Sequence, residues 1–178
     1  MRCIKLGMVE KFLSNLTNNS HATKNASASD DLCQKMFGTL APDDKMISIA
    51  LNEAMDSRSD ETLDLILTLI ERFNMEKQLQ VGLAGLLTLP WHHFHDRVAG
   101  LLNNEPKDEI LPQLYDGATF RCDNLDYESD YFEFNRKCIY ALLKNGSEKS
   151  YEYIRLLAKC ENKIVADYAA EIIEEYDI

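Results

Sequence analysis

The chain has 178 residues, of which 46% are hydrophobic and 28% are charged, a composition typical of a soluble globular protein. Its formal net charge of −11 argues against nucleic-acid backbones and anionic membranes as partners, because both would repel it. The same charge fits a basic protein partner. At this length the simplest expectation is one domain with its own hydrophobic core.

Cysteine usage predicts the compartment. The five cysteines show no CxxC pair and no metal-like spacing, and they are Cys3, Cys33, Cys122, Cys138 and Cys160. An odd number of scattered cysteines favours reduced thiols in a reducing environment. The N-terminus lacks a continuous apolar run, so no secretory signal is expected. The longest apolar-rich stretch, residues 79–91, is too short to span a bilayer. We therefore expect a cytoplasmic protein.

Residues 1–40 are predicted to form an N-terminal region of two short helices, 8–16 and 30–40. Between them, residues 17–29 are rich in Asn, Ser, Thr and Ala and hold no large apolar side chain. Such a segment cannot bury enough surface to offset its ordering entropy, so it is predicted to be a flexible polar loop. The second region, 41–178, is predicted to be a helical domain.

Helical periodicity then recurs along the chain, and no stretch alternates with period 2, so we predict no sheet. Three helices are expected at 45–55, 75–87 and 91–102, with Pro90 separating the last two. A fourth helix begins at a cap formed by Ser59 or Asp60. The predicted inner face of 45–55 consists of Met46, Ile49, Ala50 and Met55. That of the capped helix consists of Leu63, Ile66, Leu67 and Ile70.

The last third of the chain carries the clearest pattern, with three amphipathic stripes. Their inner positions are Phe134, Cys138, Ala141 and Leu142; then Tyr151, Ile154, Leu157 and Ala158; then Val165, Tyr168, Ala169, Ile172 and Tyr176. Gly146 and Ser147 are predicted to end the first helix and cap the second, since Gly tolerates a left-handed backbone and Ser accepts orphan N–H bonds. So short a connection predicts antiparallel neighbours.

Residues 138–158 resemble the helix–turn–helix unit of HEAT-like repeat proteins, and residues 164–173 are similar to the opening of a next unit. The resemblance extends from residue 130 onward and more loosely over 42–104, where Ala50, Ala84 and Ala141 take equivalent places. It implies an all-α fold of stacked antiparallel helical hairpins, a HEAT/ARM-like α-solenoid. Proteins of this kind serve mainly as binding scaffolds.

Residues 105–133 are predicted to be an acidic insertion in this repeat, with nine acidic residues against Lys107 and Arg121. Aromatic residues are interleaved with the acids, a combination that suits a protein-binding surface. The alternative is a solvated acidic loop whose aromatic residues cap the adjacent helices. The predicted partner-binding residues are Asp116, Asp123, Asp126, Tyr127, Glu128, Asp130 and Tyr131.

His92, His95 and Asp96 are spaced so that one helical face would hold all three, as a metal site requires. No second His-rich segment supplies a further ligand. Histidines at the start of a helix are more often surface or packing residues. We therefore predict no metal and no cofactor.

No catalytic motif is present: the chain has no GxGxxG, Walker loop or GxSxG sequence. HEAT-like enzymes resembling deoxyhypusine hydroxylase bind iron through several His-Glu pairs, and this chain offers only His95-Asp96. HEAT-like DNA glycosylases need a basic groove, which the net charge opposes. The chain is therefore predicted not to be an enzyme.

By charge, size and repeat type the chain resembles the immunity proteins of bacterial toxin–immunity pairs, including those of contact-dependent growth inhibition. That resemblance implies a free monomer that occludes the active site of a basic toxin, such as a C-terminal nuclease domain. The alternative is an acidic adaptor that docks a basic subunit in a larger assembly. An immunity protein has one tight partner, whereas an adaptor has several weaker ones.

Overall fold

The structure is a computed structural model that describes residues 26–121 and 128–178. These residues form α-helices and one 3-10 helix (Asp108–Ile110) and contain no strand, which confirms the all-α class. None of the described helices is long and apolar enough to cross a membrane. The α-helices are α1 (Ala26–Phe37), α2 (Asp44–Ser57), α3 (Asp60–Phe73), α4 (Gln80–Ala84), α5 (His95–Leu102), α6 (Leu111–Thr119), α7 (Glu128–Asn145), α8 (Glu148–Leu157) and α9 (Lys163–Tyr176).

The chain divides into two compact units, Met1–Phe73 and Asn74–Ile178. The predicted boundary between residues 40 and 41 stays a prediction. Helix α1 begins at Ala26, inside the predicted polar loop, and ends before Gly38, whose φ of 71° suits a residue without Cβ. The predicted helix 8–16 and the rest of that loop lie outside the described residues.

Helices α2 and α3 pack together in the first unit. The Asp43 side chain accepts the Met46 N–H at the start of α2, and Ser59 Oγ accepts the Thr62 N–H (3.2 Å) at the start of α3. The predicted cap and inner face of α3 are thereby confirmed, since Leu63, Ile66, Leu67 and Ile70 are all fully buried.

The prediction for the inner face of α2 is wrong for the large side chains, although Ala50 is buried as predicted. Met46 and Ile49 are exposed, whereas the buried residues are Ile47, Ala50, Leu51 and Ala54. This second stripe has the same helical spacing, but half of it is alanine. Small side chains leave room for the helix that packs against them, so the buried face need not be the one with the most large apolar residues.

In the second unit, α7 is the central helix, and α5, α6, α8 and α9 all pack against it. Helix α6 runs antiparallel to α7. At one end the Asn145 amide donates to the Pro106 carbonyl (2.8 Å). At the other, the buried Asn135 amide donates to the Gly117 carbonyl (2.9 Å). Gly117 permits a close approach, because a Cβ there would lie 3.0 Å from Cys138 Sγ.

Helix α6 lies inside the predicted insertion, where the sequence analysis assigns no helix. It buries Leu111, Leu114 and Ala118, and Ile110 just before it is also buried. The first half of the segment is therefore core rather than a solvated loop. Its acidic residues and its proline conceal the apolar stripe when only composition is considered.

The predicted pattern of the last third is largely confirmed. The whole α7 stripe from Phe134 to Leu142 is buried. Gly146 has a φ of 71°, and Ser147 Oγ accepts the Ser150 N–H (3.2 Å) at the start of α8. Tyr176 is an exception with 49% of its surface exposed, because it lies in the final turn of α9 beyond the last buried residue, Ile172.

The predicted helices 75–87 and 91–102 are both longer than the helices observed. Helix α4 has only five residues, and the buried Gln80 side chain at its start bonds to backbone outside any helix. Its Nε2 donates to the Glu105 carbonyl (2.9 Å), and its Oε1 accepts the Lys107 N–H (2.9 Å). Helix α5 begins at His95 rather than Trp91. Side-chain hydrogen bonds in this region take the place of helical ones.

Alkaline pH is expected to destabilise the second unit through Cys138. Burial, and next the nearby Asp96 carboxylate, raise the pKa of this fully buried thiol. Above its ordinary pKa of about 8.5 the unfolded chain releases a proton that the folded chain retains. The thiol's contribution to stability is thus complete below that pH and decreases above it by up to about 1.4 kcal/mol per pH unit.

Urea denaturation from neutral to alkaline pH measures this decrease. The Cys138→Ala variant should show a shallower decrease, and equal pH dependence in both proteins would contradict the prediction.

Candidate partner-binding surface

The structure describes four of the seven predicted partner-binding residues at least in part. Asp116 is exposed on α6, and Glu128, Asp130 and Tyr131 lie in the first turn of α7. Asp123, Asp126 and Tyr127 lie outside the described residues, so their placement stays a prediction. Glu128 and Asp130 therefore stand at a helix start.

Tyr168 is the centre of an aromatic cluster that joins α9 to the first half of α7. The Phe132 ring meets the Tyr168 ring edge to face, with centroids 5.9 Å apart. The Arg136 guanidinium lies 5.9 Å from the centroid of the same ring. Tyrosine and arginine are enriched among the residues that dominate binding energy at protein interfaces. We call Phe132, Glu133, Arg136, Tyr168 and Glu175 the Tyr168 cluster.

Two acidic segments meet at this cluster. Burial raises the pKa of the Tyr168 hydroxyl above its ordinary value; the Arg136 cation opposes the shift, and Tyr176, Glu133 and Glu175 reinforce it. Glu133 belongs to the predicted insertion, whereas Glu175 lies in the C-terminal helix. Carboxylates about 40 residues apart in sequence therefore act on the same phenol.

Helix α9 adds an exposed acidic face beside the cluster. Its carboxylates lie at Asp167, Glu171, Glu174 and Glu175, Asp177 follows directly after the helix, and all five residues are exposed. Among the described residues, none of the five forms an ion pair, whereas the Asp96 carboxylate binds Lys137 through both oxygens (2.7 Å each). Glu174 and Glu175 lie at the negative end of the helix dipole, where acids are unfavourable. A cationic partner would relieve this repulsion.

A shallow groove of ≈ 470 Å³ lies between the end of α6 and the turn from α8 to α9. Thr119, Arg121, Cys160, Glu161 and Asn162 line it. Cys160 Sγ donates to the Asn162 carbonyl (3.5 Å), which uses the thiol in the turn. Among the described residues that line the groove, Arg121 is the cation and Glu161 the anion, and no nucleophile–base pair is arranged.

The histidine segment is packed rather than open. His92 and His95 are buried, and their rings stack with centroids 4.2 Å apart. A carbonyl can only accept, so each Nε2 carries the proton that it donates, to Leu86 O and to Leu89 O (3.0 Å each). His92 Nδ1 accepts the Phe94 N–H. His92 precedes α5, so the three candidate ligands do not share a helical face, which corrects the expectation drawn from their spacing.

We expect the purified, untagged protein to contain no stoichiometric metal. In residues 26–121 and 128–178, no group of three or more His, Cys, Asp or Glu residues is arranged to hold a metal ion. Elemental analysis after purification measures the content of zinc and iron. One equivalent of either metal, lost in the double variant His92→Ala with His95→Ala, would contradict the expectation.

The sequence analysis missed Tyr168 as a site residue, because it assigned Tyr168 to an inner helical face and sought the site first in the insertion. The α9 acids belong to the second acidic concentration of the sequence, residues 161–177, which holds six acidic residues. Comparison of the chain with protein-family models, curated proteins and solved structures finds no match. Arguments about function therefore depend on the surface itself.

Proposed function

We propose that this chain is a protein-binding module that neutralises a basic protein, as an immunity protein does when it occludes a nuclease toxin. The observation that carries the proposal is the packing of α9 against the first half of α7 at Tyr168, which places the exposed acids of α9, Glu133 and an aromatic anchor on one surface. The proposed contact surface consists of the Tyr168 cluster, the exposed acids of α9 and the first turn of α7.

The physical role of such a surface is twofold. The acids attract the Lys and Arg side chains with which a nuclease holds phosphate, and complementary charge accelerates encounter. The aromatic side chains then supply rigid contact area at low conformational cost. Occlusion of the active site follows from binding, so the proposal requires no catalytic group on this chain.

We also propose that the second unit is HEAT-like. Two features support this: α6, α7 and α8 follow one another as antiparallel neighbours, and Ala141 is buried where helices approach closely. In repeat proteins of this kind, inserted segments usually lie on one face, which is often the binding face. The segment 105–133 leads into the proposed surface in the same way.

An adaptor in a larger assembly is the second candidate. It is favoured by exposed apolar side chains outside the proposed surface, such as Met46 and Ile49 on α2 and Leu156 on α8. An adaptor needs more than one docking surface, and each unit would supply one of its own through these residues. The two candidates differ in the number of partners and in their affinity.

Affinity capture from the native cell, followed by mass spectrometry, identifies the partner, and titration calorimetry at two salt concentrations then measures the interaction. We expect one basic protein, tight binding and an affinity that falls as salt rises. The gene next to this one should encode that protein with a short basic C-terminal domain. Several weak partners would favour the adaptor, and salt-independent binding of a neutral or acidic protein would contradict both candidates.

A further inference from the structure

The Tyr168 cluster already holds a guanidinium. Arg136 lies one turn after Phe132 on α7, and its guanidinium lies over the Tyr168 ring at 5.9 Å from the centroid. Arg136 Nε is also 3.6 Å from Glu133 Oε2. An aromatic face together with a carboxylate is the combination that recognises arginine, through stacking of the planar cation and charge pairing.

The contacts of Arg136 with Glu133 and with the Tyr168 ring are weak. A separation of 3.6 Å is too long for a hydrogen bond, and both side chains of the Arg136–Glu133 pair are 47% exposed. The Arg155–Glu148 pair on α8 is tighter, with 2.7 Å between nitrogen and oxygen. A half-exposed guanidinium with no close hydrogen bond to its carboxylate can leave the aromatic face without breaking a well-formed contact.

We infer that Tyr168 and Glu133 form an arginine-binding site that Arg136 occupies in the free protein and that an arginine of the basic partner takes over in the complex. This inference rests on the proposed function and adds the chemistry of recognition. Arginine is favoured over lysine, because its planar group stacks on an aromatic ring while keeping its N–H donors for carboxylates such as Glu133 and Glu175.

The test uses two peptides of equal charge, hexa-arginine and hexa-lysine, and the variants Arg136→Met and Arg155→Met of the full chain. Both variants lose one exposed arginine from a carboxylate pair, so they have the same net charge. Since a cation over an exposed aromatic ring corresponds to about a two- to fivefold effect on affinity, Arg136→Met should bind hexa-arginine tighter than Arg155→Met by about that factor. Calorimetry at low salt measures both affinities.

Two further comparisons make the test specific. The gain in affinity of Arg136→Met over Arg155→Met should be smaller for hexa-lysine than for hexa-arginine. The gain should disappear when Tyr168→Leu is added to both variants. Equal binding of hexa-arginine by Arg136→Met and Arg155→Met, with folding confirmed by circular dichroism, would overturn the inference. So would an equal advantage for hexa-lysine.

Failure of this inference is distinct from failure of the proposed function. If both variants and the wild-type chain bind the two peptides alike and salt weakens binding, the acidic surface is active but has no arginine site. If no form of the chain binds either peptide and the captured partner is not basic, the proposed function fails and the inference fails with it.

Discussion

Phe134→Ala lowers the free energy of unfolding of the second unit by about 3–5 kcal/mol, the usual range for deletion of a buried phenylalanine ring. Phe134 is fully buried on the central helix α7, and its ring meets the His95 ring edge to face with centroids 5.5 Å apart. The truncation therefore opens a cavity where α5 packs on α7. Urea denaturation followed by circular dichroism measures the loss.

The matched control for this change is Tyr140→Ala on the same helix. Tyr140 is 42% exposed, and the Lys144 Nζ lies over its ring, 5.0 Å from the centroid. Its truncation should change stability by no more than about 0.5 kcal/mol. Similar losses for the two variants would mean that α7 is not the core helix of the unit.

The second large effect is on binding. Neutralising the exposed face of α9 should weaken binding of the captured partner by at least about 2 kcal/mol. This is the lower end of the range for truncation of a desolvated charge pair. The same variant should be slightly more stable when free, because each acid in the final turn opposes the helix dipole by roughly 0.3–1 kcal/mol. Opposite signs for stability and binding are typical of residues retained for function. The changes are Asp167→Asn, Glu171→Gln, Glu174→Gln and Glu175→Gln.

Two further variants, each with four acids neutralised, have the same net charge as the α9 variant. Titration calorimetry compares the affinities of the three variants for the partner, and urea denaturation compares their stabilities. One neutralises acids predicted from the sequence: Asp123→Asn, Asp126→Asn, Glu128→Gln and Asp130→Asn. It should also weaken binding, if the insertion continues the surface at the first turn of α7. The other neutralises exposed acids elsewhere: Asp56→Asn, Glu61→Gln, Asp64→Asn and Glu152→Gln. It should change only the long-range attraction, which stopped-flow kinetics would show as slower association. Wild-type affinity in the α9 variant would place the contact elsewhere.

The buried face of a helix could be predicted from the sequence where large apolar residues mark that face. The stripes of α3 and α7 are of this kind, and the structure buries them as predicted. The face of α2 could not be predicted in this way, because Ala50 and Ala54 contribute little to a count of large apolar side chains. Their small size matters only when another helix is present to approach them, and that is a tertiary property.

The candidate site was predicted less completely than the helices. Periodicity assigned Tyr168 to an inner face, and composition marked residues 105–133 and 161–177 as acidic. Neither property shows that the α7 side chains at 132–136 lie against α9. That adjacency depends on how α7, α8 and α9 pack, so composition and periodicity give no direct sign of it.

The central position of α7 affects how the second unit folds during synthesis. Helices α5 and α6 leave the ribosome first, but the helix that covers their apolar faces comes later; Asp96 and its partner Lys137 are separated by 41 residues. At about 5–20 residues per second, those faces wait several seconds for their partner helix. Stalled chains that end before Glu128 should therefore remain sensitive to protease throughout residues 95–119. Newly made chains of this protein pass through a period in which aggregation competes with folding, and it ends when α7 emerges.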